Sequence, residues 1–173
     1  MTVGATLIKN PSFEENYNPT APSYGPINQW IAIPGGNTGV NEASGPFHDN
    51  STIPDRARVA LHQGNGGIRQ FLSGLQVGRE HWLQFRYNKR QGGVMGLRTL
   101  FGGVEIDNVP SIPVAGANPY HFRQIAFTPA VDSGDLEFRT SATGDATALI
   151  DGVTIIARGR EWCCCRGMGR WLR

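Results

Sequence analysis

The body of this chain lacks cysteine. Its three cysteines, Cys163, Cys164 and Cys165, stand side by side near the C-terminus. Adjacent cysteines bridge one another only under strain, and metal sites need spacers between their ligands. The rest of the chain therefore has neither a disulfide framework nor a thiol nucleophile. Lysine is nearly as scarce: Lys9 and Lys89 are the only two, and the other fourteen cations are arginine. No stretch approaches the roughly 18 consecutive apolar residues of a membrane-crossing helix. Met1 to Lys9 lacks the apolar segment of a signal peptide, so the sequence reads as cytoplasmic or as a piece of a longer secreted chain. Charged residues make up only 17%, too few for a helical bundle rich in Glu, Lys, Ala and Leu.

The formal charge of +2 is unevenly spread. Arg158 to Arg173 holds five arginines and one glutamate, a net +4, which leaves the body at about −2. A near-neutral body gives no electrostatic reason for a nucleic-acid partner. From residue 158 the pattern breaks into Trp162, the cysteine run, Gly167, Gly169 and Trp171, with neither alternation nor a cap. Residues 158–173 are read as a tail outside the core: a vector scar, a non-native frame or a chance extension past the domain end, with a basic, aromatic anchor for a membrane surface or polyanion as the functional alternative. Residues 1–157 form the domain.

What is abundant is turn chemistry: 23 Gly and 11 Pro. Residues 16–54 are read as a long loop with one short strand near Trp30–Ile33. Strand signals then recur over Arg58–Gln63, Ile68–Leu72, Glu80–Asn88, Leu97–Phe101, Val104–Val109, His121–Phe127, Leu136–Thr140 and Ala148–Ile156. Gly66-Gly67 and Gly102-Gly103 suit tight hairpins. Many short strands with turns every 8–12 residues or so predict an all-β fold, an antiparallel sandwich or barrel. Leu83, Phe85, Leu97, Phe127, Leu136, Phe138, Leu149 and Val153 are the expected core between two sheets.

Five stretches, in order, resemble the jelly-roll carbohydrate-binding modules of the galactose-binding-domain type. They are Asn10-Pro11-Ser12-Phe13-Glu14; Trp30 after a Gly/Pro loop; Ile68-x-Gln70 through Gly78 to His81-Trp82-Leu83-Gln84-Phe85; Phe127-Thr128-Pro129-Ala130; and Leu149-Ile150-Asp151-Gly152-Val153. Pro11 and Gly152 depart from the family pattern, which has glycine and a second aspartate there. The resemblance implies a jelly-roll β-sandwich, a carbohydrate partner, and a place in a larger secreted or cell-surface protein. It also implies a structural calcium where the first and last strands meet, carried over to Glu14 and Asp151. Calcium takes hard oxygen ligands, so carboxylates with backbone carbonyls suit it.

Such modules stack sugar rings on aromatic faces and bind the hydroxyl edge with planar polar groups. On the Glu80–Asn88 strand, His81, Leu83, Phe85 and Tyr87 share one face, and Trp82, Gln84, Arg86 and Asn88 share the other. The second face carries that mixture, and Arg98 and Arg123 are expected to extend it. In the long loop, Tyr24, Phe47 and His48 are further candidates, while Trp30 is expected to plug the core. No H-E-x-x-H, G-x-S-x-G or phosphate-loop pattern occurs, and the carboxylates Glu42, Asp49, Asp55, Glu80 and Glu105 are scattered. The expectation is a non-catalytic binding module. The alternatives are a structural or adhesion domain without a sugar site and a small jelly-roll hydrolase or lyase.

Overall fold

The computed structural model describes residues 8–15, 23–42, 52–113 and 120–159. Eleven strands are present: β1 (Ser23–Tyr24), β2 (Ile31–Ile33), β3 (Gly36–Glu42), β4 (Arg58–Gly64), β5 (Gly66–Ser73), β6 (His81–Lys89), β7 (Val94–Phe101), β8 (Val104–Val109), β9 (His121–Phe127), β10 (Ser133–Thr143) and β11 (Thr147–Ala157). They form a six-stranded sheet in the order β1-β3-β4-β11-β6-β9 and a five-stranded sheet in the order β2-β5-β10-β7-β8. Every pairing is antiparallel. This is the jelly-roll sandwich expected, and no described residue is helical.

Period-2 alternation drives the packing. Leu83, Phe85 and Tyr87 of β6 point inward with Ile150, Val153 and Ile155 of β11 and Phe138 of β10, all within one buried cluster. Gly102 and Gly103 both take positive φ, +56° and +81°, so the β7–β8 hairpin turns at the residues read as its turn.

Trp30 plugs the core. Its ring lies 5.5 Å from Phe13 and 6.0 Å from Phe138, and its Nε1 donates to Asn10 O at 3.2 Å. Val153 N donates to Pro11 O at 3.0 Å, so the segment at residues 10–15 is pinned against the last strand.

Two readings need correction. The region taken as loop contains β3, seven residues fully paired to β4. Leu149 does not lie between the sheets. It pairs with Leu61 and Asn88 across the six-stranded sheet and joins Ile53, Val59, Leu61 and Tyr120 in a second buried cluster. Its neighbour Ile150 belongs to the main core, so alternation sends Leu149 to the outer face. One extra residue between Asp151 and Thr154 then bulges β11, which lets Ile150 and Val153 both reach the core. Gly152, the departure from the family pattern, sits in that bulge at φ +59°, a conformation glycine takes without strain.

Candidate functional site

The outer face of the six-stranded sheet is built in rows set by strand register. One row runs Tyr24, Gly39, Leu61, Leu149, Asn88. A second places Asp151 beside Arg86 and Arg86 beside Phe122. A third joins Thr154, Gln84 and Gln124, and a fourth Ile156, Trp82 and Ala126.

The third and fourth rows, with Arg86 and Phe122, are open. Phe122 is 50% exposed, and the Arg86 guanidinium lies 4.6 Å from its ring centroid. Gln84 Nε2 donates to Gln124 Oε1 at 2.7 Å. Trp82 is half-buried at the edge of this patch. Above Arg86, a cavity of about 280 Å³ is lined by Thr52, Ile53, Pro54, Arg86 and Tyr120. An aromatic face, a guanidinium and two planar amides stand together beside a wall of Ile53, Pro54 and Tyr120. That combination suits a ligand with an apolar face and a hydroxylated edge.

Two other hollows lack this mixture. One of about 570 Å³ is lined by Gln76 to Glu80, Arg158 and Gly159, with no aromatic side chain. Another of about 190 Å³, lined by Phe101, Val104, Ile106, Phe127 and residues 128–131, has no charged group to orient a polar ligand.

The candidate residues therefore separate. Trp82, Gln84 and Arg86 stand together as expected. Asn88 does not join the open face: it is fully buried, with Oδ1 accepting from Lys89 N at 2.9 Å and Nδ2 without a partner. Arg98 lies on the five-stranded sheet, opposite Arg139 and Asn108, with Glu105 3.5 Å away. Consecutive strands β6 and β7 belong to different sheets, so Arg98 cannot extend the β6 face. Arg123 instead clasps the sheets together, its Nε donating to Asp107 of β8 at 2.9 Å. Tyr24 shares the outer face but sits on the far edge strand, five inter-strand spacings of about 4.8 Å from β9. Its hydroxyl donates to Gln63 Oε1 at 3.2 Å. Phe47 and His48 lie outside the described residues. Phe122 was not among the sequence candidates. The alternation of His121, Arg123, Ile125 and Phe127 was the signal that it faces the other way.

Glu14 and Asp151, 137 positions apart, come to one corner with Asp55. Glu14 Oε1 accepts from Ala57 N at 2.8 Å and Arg58 N at 2.7 Å. Asp151 Oδ2 accepts from Asp55 N at 2.8 Å and Oδ1 from Gly152 N at 2.7 Å. Burial pushes the Asp151 carboxyl up to about 7; these backbone N–H groups oppose the shift, and the negative charges of Asp55 and Glu14 add to it. Among the described residues, no group of three or more His, Cys, Asp or Glu side chains is arranged to hold a metal unaided. An ion here would need backbone carbonyls too. Arg56 Nε lies 3.9 Å from Asp55 Oδ1, and Arg58 Nη1 donates to Glu14 O at 3.1 Å, so two arginines also stand at this corner.

No protein-family model matches the sequence, and no curated protein matches it. Solved structures do share the fold. A cyclase from Fischerella sp. TAU aligns with a TM-score of 0.70 and 16% identity, over 90% of this chain and 98% of its own. A CBM61 module in complex with β-1,4-galactotriose aligns with a TM-score of 0.62 and 15% identity, over 88% and 99%. The CBM22-1 xylan-binding domain from Paenibacillus barcinonensis aligns with a TM-score of 0.50 and 15% identity, over 90% and 96%. At these identities the likeness is one of fold. It supports the resemblance to jelly-roll carbohydrate-binding modules. The cyclases overturn the expectation of a non-catalytic domain, because the same sandwich, matched over nearly their whole length, is also the framework of enzymes.

Proposed function

We propose that this domain binds carbohydrate on the open half of the outer six-stranded face, as part of a longer secreted or surface protein. The observation that carries the reading is the juxtaposition of Phe122, Arg86, Gln84 and Gln124 beside the cavity under Ile53 and Tyr120. A sugar ring would rest its C–H face on Phe122, with Arg86 and the two amides taking its hydroxyls. Calcium would be held by Glu14 and Asp151 with carbonyl oxygens, bracing the corner from which the Asp55 loop reaches the site.

A glycan screen in calcium and in chelator tests this. Binding to one glycan class is expected, lost in Phe122→Ala and weakened in Arg86→Ala. Wild-type binding by both variants would put the site elsewhere. If no glycan binds in calcium, the structural or adhesion reading takes over. Glu14→Gln should remove any calcium dependence of the melting temperature.

One observation favours a second reading, catalysis: the same sandwich, matched over nearly the whole length of the Fischerella cyclases, frames enzymes. New reducing ends on a bound glycan would select a hydrolytic form of it.

A further inference from the structure

We infer that the outer face is a blind groove that reads the end of a sugar chain, an inference that rests on the carbohydrate reading above. The face is open over Trp82, Gln84, Phe122 and Gln124. Past Arg86 it closes. Val59, Leu61 and Leu149 are at most 1% exposed and pack with Ile53 and Tyr120. A chain resting on Phe122 and running toward Leu149 meets this cluster and cannot continue across the sheet. The cavity at the junction measures about 280 Å³. That is below the roughly 300–1,000 Å³ of pockets that take drug-sized ligands, and it suits one terminal sugar ring.

An internal sugar bears its onward linkage at that end and has no passage for it. Asn88, two residues beyond Arg86 along β6, is sealed under the closed half and is not part of the cavity lining, so it stays out of the ligand's reach.

The test uses one polysaccharide that the wild-type protein binds, cut to a series of average lengths and compared at equal mass. Binding capacity should rise in proportion to the number of chain ends. Capacity constant per unit mass would overturn the blind groove while leaving the carbohydrate reading intact. Absence of binding to every glycan would reject that reading and this one with it.

Discussion

The two halves of the outer six-stranded face share β11 and β6 and use them to opposite ends. On one side β4, β11 and β6 present Leu61, Leu149 and Asn88, all buried. On the other, β11, β6 and β9 present Thr154, Gln84, Arg86, Phe122 and Gln124, half-buried or exposed. Both halves pair antiparallel, with the β11 bulge between Asp151 and Thr154 at their junction, and the covering differs: Ile53 and Tyr120 fold over the first half and stop at Arg86. Alternation along a strand assigns a residue to a face, but what lies on that face decides whether it becomes core or site.

The sharpest way to break this comparison is to hollow out the closed half. Leu149→Ala should cost about 2–5 kcal/mol, as expected for a fully buried leucine. Ile156→Ala, on the same strand in the open half and 46% exposed, should stay within about 0.5 kcal/mol. Urea unfolding of both variants measures the difference. Equal losses would mean that the two halves are covered alike.

Much of this was legible in the sequence. Val104–Val109 and His121–Phe127 form strands with the bounds read for them, because a Gly-Gly pair opens the first and the second alternates cleanly. Other features were hidden for stated reasons. β3 contains Gly36, Asn37, Gly39 and Asn41, all poor strand formers, and its pairing with β4 holds it extended. Leu149 looked like sandwich core because it adjoins Ile150, and only the register to Leu61 shows the second cluster. Arg98 looked adjacent to Arg86 because β7 follows β6, whereas the chain crosses to the other sheet between them. Phe122 needed the β6–β9 pairing before it could be set beside Arg86.

Asp151 marks the boundary between the halves and gives a pH signature. Its folded carboxyl titrates at about 7, above the ordinary 3.8. The folded state therefore holds a proton that the unfolded state has already released between those values. This contribution is complete below about pH 4 and is lost as pH rises through about 7, at most about 1.4 kcal/mol per pH unit. In chelator, the melting temperature should fall from pH 5 to pH 8, and Asp151→Asn should flatten that slope. An unchanged slope in the variant would assign the pH dependence to other groups. Bound calcium would oppose protonation, so adding the ion should also flatten the wild-type curve.

Within the open half, Phe122→Ala tests the platform itself. The ring is half exposed, so its loss should change stability by less than about 1 kcal/mol. Affinity for a bound glycan should fall about tenfold or more, equivalent to about 1.4 kcal/mol. A large fall in stability instead would show that Phe122 supports β9 more than it meets a ligand.

The smallest effect belongs to Arg98, and it separates one sheet from the other. Arg98 and Glu105 are 3.5 Å apart, with side chains 51% and 42% exposed. Such surface pairs contribute about 0–1 kcal/mol. Arg98 also stands directly opposite Arg139, a like-charge pairing that works against the sheet. Removing it loses a weak attraction and a weak repulsion together, so Arg98→Ala should leave stability within about 0.5 kcal/mol. Because β7 lies in the five-stranded sheet, glycan binding should also be unchanged. Weaker binding in Arg98→Ala, with wild-type binding in Arg86→Ala, would move the site to the five-stranded sheet. Its outer face then offers Arg69, Arg98 and Arg139 on three adjacent strands, with Phe71 64% exposed beside them. Isothermal titration of the two variants against the same glycan decides between the sheets.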